Sequence, residues 1–170
     1  MFLKDKSDGT IKGRTVAGGN KQRSFIKKEE ASSPTVAIES VLLTCIIDAE
    51  EERDVAVMNI PNAFIQTRIE DEKDMAIIKL RGVLVDMLME IPPEAYGPYV
   101  TVDKKGVSQL ITQCQNAIYG TMIASLLYYI KFSRTLARSN FVKNPYDPCV
   151  ANRFVKVNNK QSAGTWTIAS

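Results

Sequence analysis

The chain has 170 residues, enough for one ordinary domain or part of a larger one, and its 45% hydrophobic content suffices for a core. A net charge of +3 permits nucleic-acid binding without arguing for it, because binders concentrate their charge. With no histidine, a Ser-His-Asp triad, a Cys-His pair and a His-ligated zinc site are all excluded.

The first thirty residues are basic and Gly-rich. Asp8-Gly9 is a turn signal, and Thr10 to Ala17 alternates weakly, as an exposed strand does. Gly18-Gly19-Asn20 is a second turn, followed by Lys21, Arg23, Lys27 and Lys28, so a cation-rich hairpin is expected. Ser32-Ser33-Pro34 reads as a helix start, with serine capping free N–H groups and proline at the first helical position. The spacing predicts a helix from Thr35 to about Glu50, burying Val36, Ile38, Val41, Leu42, Cys45 and Ile46. Asp54 to Ile60 predicts a strand apolar on both faces, hence central in a sheet, and Pro61 ends it.

Further along, Met75 to Leu80 predicts a strand and Val83 to Ile91 a short amphipathic helix broken by Pro92-Pro93. Tyr99 to Val102 and Val107 to Ile111 predict a hairpin around Asp103-Lys104-Lys105-Gly106. A second long helix, Met122 to about Ser139, buries Met122, Leu126, Tyr129, Ile130 and Leu136, with Lys131, Arg134 and Arg138 on its other side. Asn144 to Pro148 is a rigid turn. Cys149 to Val157 and Thr165 to Ala169 read as final strands, joined by the polar segment Asn158 to Gln161. Helices and strands do not alternate regularly, so the expected class is α+β.

Cys45, Cys114 and Cys149 share no metal-ligand spacing and read as free thiols. The N-terminus has no apolar run behind its charges, and no stretch approaches the roughly 18 apolar residues of a membrane span. The expectation is an intracellular protein, cytoplasmic or nuclear, neither secreted nor membrane-bound. No P-loop and no Gly-x-Gly-x-x-Gly is present. The residue that stands out is Asn59, a polar group ending an apolar strand. It is a site candidate, or an amide that serves the turn backbone.

Four segments together resemble the reverse transcriptase of copia-type retrotransposons, over roughly residues 8 to 155. Asp8 to Ala17 with Lys21-Gln22 is similar to the family's Lys/Arg-rich fingers strand. Glu29 to Val36 resembles its entry to the first long helix. Met58 to Ile65 matches an Asp-Val-x-x-Ala-(Phe/Tyr)-Leu motif with Asn59 in place of Asp. Ala117-Ile118-Tyr119-Gly120 through Tyr128-Tyr129, then Asn144 to Cys149, resemble Leu-Tyr-Gly…Trp-Tyr and a Pro-x-Asp-Pro-Cys turn.

The resemblance implies the fingers and partial palm of a right-hand polymerase, with an incomplete palm sheet. Residues 1–30 would be a basic fingers-like hairpin region and 31–170 the partial palm and fingers. It implies RNA-directed DNA synthesis on a template-primer with deoxynucleotides, assisted by Mg²⁺, within a polyprotein. Asn59 takes the position of a metal-binding Asp. Lys12, Arg14, Ile60, Asn62, Ala63 and Phe64 fall at nucleotide-binding positions. Lys12 or Arg14 would reach the triphosphate, the Asn62 and Ala63 backbone would offer it N–H groups, and Phe64 would lie under the sugar. In Gly120 to Ser125, Met122 and Ile123 stand where the family has Lys and Gln, and an apolar core helix is the simpler reading there. The family's Tyr-Val-Asp-Asp-type box has no counterpart in these residues, and no acidic residue follows Asp147. The expectation is therefore an inactive fragment that does not bind Mg²⁺. The alternatives are a non-enzymatic nucleic-acid-binding relic and an active polymerase seen in part.

Overall fold

A computed structural model describes residues 2–14, 16–71, 74–157 and 160–167. The side chains of Phe2, Leu3, Lys12, Arg14 and of residues from 155 onward lie outside that description. Strands β1 (Phe2–Asp5) and β2 (Ile11–Arg14) pair antiparallel, Phe2 opposite Arg14 and Asp5 opposite Ile11. The Asp-Gly signal closes this hairpin. Gly9 adopts φ +78°, and the Lys6 N–H donates to the Thr10 carbonyl at 2.9 Å. The Asp8 carboxylate accepts from the Thr10 hydroxyl (2.6 Å) and N–H (2.9 Å), and these bonds hold it below the usual carboxylate range. A 3-10 helix, Gly19–Ser24, and a one-turn helix α1, Lys28–Ala31, follow.

Helix α2 spans Ile38–Glu50, and two expectations about it are corrected. Its first turn is not capped by Ser32 or Ser33. The N-cap residue is Ala37, whose N–H donates to Asp147 Oδ2 at 3.0 Å, a carboxylate 110 residues downstream. Nor is the apolar face buried: Ile38, Leu42 and Ile46 are 64%, 57% and 65% exposed. The helix instead turns Ser40, Val41, Thr44 and Asp48 toward the rest of the chain.

The expected central strand at Asp54 to Ile60 does not form. These residues are unpaired, with Val57 96% exposed and Val55 and Met58 also open. A β-rich run becomes a strand only against a ladder partner, and among the described residues none lies beside it.

The middle of the chain builds a sheet of order β3-β5-β4, all antiparallel: β3 Ile77–Arg81, β4 Val100–Val102 and β5 Ser108–Gln113. Leu110, in the central strand and opposite Leu80 and Val100, is only 2% exposed. Helix α3 (Val83–Glu90) buries Val85, and α4 (Pro93–Tyr96) begins at the proline that separates it from α3. The β4–β5 turn closes on Asp103, which accepts from the Lys105 (2.8 Å) and Val107 (3.0 Å) N–H groups and pairs with Arg81.

Helix α5 (Ala124–Arg138) packs on a second sheet of order β6-β7-β8: β6 Val142–Lys143, β7 Val150–Val157 and β8 Lys160–Thr167. Lys160 and Gln161 belong to β8 rather than to a linker. Tyr129, Leu136, Cys149 and Ala151 form the core there, with Val36, Leu126, Ile130, Phe132 and Phe141 against it. The Tyr129 hydroxyl donates to the Pro148 carbonyl at 3.0 Å. The architecture is α+β, built from three small antiparallel sheets.

Candidate functional site

Residues 61–70 form a loop made rigid by its own turns. Pro61 ends the extended run, and Asn62 takes a left-handed φ of +53°, a conformation asparagine tolerates better than most residues. Inside the loop, Gln66 Nε2 donates to the Pro61 carbonyl (2.7 Å) and the buried Thr67 hydroxyl to the Ala63 carbonyl (2.9 Å). The loop then docks on the segment after β5. The Ile69 N–H donates to Gln115 (2.9 Å), the Ala117 N–H to Thr67 (2.8 Å) and Asn116 Nδ2 to Ile65 (2.6 Å). From the other side, the Lys131 ammonium on α5 donates to the Gln66 carbonyl at 2.5 Å.

This docking opens a cleft of about 760 Å³. One wall is Asn59 to Asn62 with Ile65. The facing wall is Cys114 to Asn116 with Ile118 and Tyr119, and Gly13 of β2 closes the rim. Of the sequence candidates, Asn59, Ile60 and Asn62 come together here. Ala63 and Phe64 do not line it. Ala63 is occupied by Thr67, and Phe64 packs into an aromatic group. Its ring lies 4.8 Å from Tyr119 and 6.0 Å from Tyr128, and Tyr128 stacks on Phe132 at 5.8 Å. For Lys12 and Arg14 the backbone lies in β2, flanking the Gly13 rim, but their side chains fall outside the described residues.

The N-terminal segment is held over this region by two glycines. A Cβ added at Gly19 would overlap the Gly120 carbonyl, and one at Gly120, where φ is +90°, would overlap the Ala17 carbonyl. That contact lets the Ala17 N–H donate to Tyr119 (2.7 Å) and Gln22 Oε1 accept from the Met122 N–H (3.0 Å). Sequence reasoning singled out Tyr119-Gly120 but missed Gln115 and Asn116. Two side-chain amides directly after a strand were the available signal.

The described side chains that line the cleft carry no formal charge. Among the described residues its lining contains four side-chain amides, Asn59, Asn62, Gln115 and Asn116, and no Asp, Glu, Lys or Arg. Burial pushes the Cys114 thiol up, so it stays protonated at neutral pH. Among the described residues, no three His, Cys, Asp or Glu gather where they could hold a metal.

The family described as "Reverse transcriptase (RNA-dependent DNA polymerase)" matches the chain over residues 2–163. The chain belongs to that family. It is similar to the retrovirus-related Pol polyprotein from transposon TNT 1-94 of Nicotiana tabacum, 24% identical over 162 residues. That match takes in 92% of this chain and 11% of the polyprotein. No solved structure matches significantly. The chain is a partial copia-type retrotransposon reverse transcriptase domain.

Reverse transcriptases of this family imply Mg²⁺, and the residues of this cleft do not fit it. Mg²⁺ is a hard cation that takes carboxylate oxygens and water. The Asn59 amide oxygen brings no negative charge, and among the described residues no carboxylate joins it in the lining.

Proposed function

We propose that this reverse transcriptase domain transfers no nucleotides through its own residues and retains template-primer binding. One observation carries the reading: Asn59 lies where the family's metal-binding Asp is expected, in a cleft whose described lining residues are all neutral. Metal-assisted phosphoryl transfer needs carboxylates to hold the ion that stabilises the reacting oxygens. An amide in that place withdraws the charge that binds the metal.

Binding has a separate source. Lys4, Lys6, Lys21, Arg23, Lys27 and Lys28 are exposed on or just after the N-terminal hairpin, a concentration suited to phosphates. In this reading residues 1–30 are the fingers-like part and 31–170 the partial palm, and the chain derives from a longer polyprotein. Its location inside the cell, cytoplasmic or nuclear, belongs to the same proposal. Among the described residues no helix is long and apolar enough to cross a membrane.

The test is primer extension on primed RNA and DNA templates with deoxynucleotides and Mg²⁺, alongside binding measured by fluorescence anisotropy. Neither the natural chain nor Asn59→Asp is expected to extend the primer, because one restored carboxylate does not assemble a two-metal site. Binding should weaken by roughly tenfold or more between 50 and 200 mM salt. Extension by the natural chain would refute the reading.

A further inference from the structure

We infer that the exposed face of α3 and α4 is a docking surface for a second copy of this chain, whose basic segment around Phe25 it receives. The inference does not depend on whether the domain binds a template-primer.

The receiving face is apolar with an acidic rim. Val83, Met87 and Ile91 recur at four-residue intervals, so they form one stripe along α3 as far as its C-cap, and Leu84 lies beside it. All four are exposed, Ile91 by 81%. Val85, on the opposite side of the helix, is the buried residue, so the stripe points away from the core. Asp86 and Glu90 occupy the adjoining row and Glu94 the first turn of α4, all three exposed. Residues 83 to 99 contain no Lys or Arg.

The entering segment is its complement. Phe25 is 87% exposed and stands between Arg23 and Lys27, with Lys21 and Lys28 further out. Residues 16 to 28 contain no Asp or Glu, and Glu29 and Glu30 begin only beyond them in α1. The turn that presents Phe25 is tied down. The Phe25 (3.0 Å) and Ile26 (2.8 Å) N–H groups donate to the Gln22 carbonyl, and the Gln22 side chain accepts from the Met122 N–H at 3.0 Å. An aromatic held in this way loses little freedom on docking. Aromatic anchors of this kind carry most of the energy of an interface.

Within one chain these charges are not matched. No ion pair between described residues involves Lys21, Arg23, Lys27, Lys28, Asp86, Glu90 or Glu94. A polyanion would take the cations and leave the acidic, apolar face of α3 uncovered. A second copy covers both. Phe25 enters the stripe of Val83, Met87 and Ile91, and the cations beside it face the carboxylates of the rim. The apolar contact supplies affinity, and the charges set orientation and the rate of encounter.

The experiment is sedimentation velocity on the full chain, free of nucleic acid. All samples carry Leu42→Gln and Ile46→Gln, which remove the exposed face of α2 as a competing surface. Association should appear at about 100 μM protein or below in about 50 mM salt. It should weaken about fivefold in about 500 mM salt, because the exposed charges are screened. Phe25→Ala should weaken it roughly tenfold or more with no change of charge. Lys27→Glu with Lys28→Glu should weaken it as strongly, and so should Glu90→Lys with Glu94→Lys. The chain carrying all four charge reversals should associate more tightly than either pair alone, because the signs are again opposed. Every substituted residue is exposed, and circular dichroism melts check that each variant is folded.

Four results would overturn the inference: a monomer at every concentration, association undiminished in high salt, association unmoved by Phe25→Ala, or a four-reversal chain no tighter than the separate pairs. No template or nucleotide enters the assay, so its outcome is distinct from that of primer extension and template binding.

Discussion

Asp147 is a buried charged residue that ties distant parts of the chain together. It is 6% exposed and serves three partners. Oδ1 accepts from the Cys149 N–H (2.9 Å), Oδ2 from the Ala37 N–H (3.0 Å), and the Ser40 hydroxyl donates to the same carboxylate. One side chain therefore closes its own turn and caps α2, whose N-terminal N–H groups would otherwise lack acceptors. The Ser40 bond, then the Ala37 and Cys149 bonds, outweigh burial and hold the carboxyl below its ordinary value of 3.8. The same charge, together with burial, pushes the Cys149 thiol up. A carboxyl whose folded pKa is depressed stabilises the fold above its unfolded value. That contribution is lost as pH falls below about 3.8 and through the folded pKa. Asp147→Asn should cost about 2 kcal/mol at pH 7, the scale of hydrogen bonds to a charged group. Denaturant titrations from pH 7 to 2.5 should show the gap between the two proteins closing only at the acid end. A constant gap would mean that the charge contributes nothing.

At the scale of elements, the placement of the hairpin depends on a crossing that only glycines permit. Gly19 and Gly120 come from segments about a hundred positions apart, and each would drive a Cβ into the other segment's backbone. Gly120→Ala carries a second penalty, because its φ of +90° disfavours any side chain. Gly120→Ala should therefore cost roughly 2 kcal/mol or more, and Gly19→Ala somewhat less. Hydrogen exchange separates this local event from global unfolding. The Ala17 amide, bonded to Tyr119, should lose protection, while Leu110 in the centre of β5 should keep it. Equal loss at both would show that the glycines serve the whole fold rather than the hairpin.

The molecule as a whole is open. Its accessible surface is 13148 Å², whereas a compact monomer of 18.9 kDa exposes about 8,300 Å². Much of the excess is apolar and contiguous in sequence: Leu42, Leu43 and Ile46 on α2, then Val55, Val57 and Met58 beyond it. Such surface favours association. The isolated chain should self-associate as concentration rises, as seen by light scattering, and should bind a hydrophobic dye in its native state. The double substitution Leu42→Gln and Ile46→Gln should reduce association without lowering the melting temperature. If that face were core, the same change would cost several kcal/mol and the protein would melt earlier.

Local chemistry made much of this protein legible in its sequence. Asp8-Gly9 and Asp103 to Gly106 turned where they were expected to, because glycine supplies the positive φ and aspartate the acceptor within a few residues. The β4–β5 hairpin, α3 and α5 followed from period and punctuation, and the family followed from the order of short motifs. Asn59, Ile60 and Asn62 could be grouped because they are neighbours in the chain. What the sequence left open depended on partners far away along it. The cap of α2 came from Asp147 rather than from adjacent serines, and the strand at 54–60 lacked a ladder. Phe64 went to an aromatic group with Tyr119 and Tyr128 rather than to the cleft. Gln115 and Asn116 became cleft walls only when the 61–70 loop docked on them. A periodicity states which face of an element is apolar. Which face is covered depends on which other elements reach it, and that is decided in three dimensions.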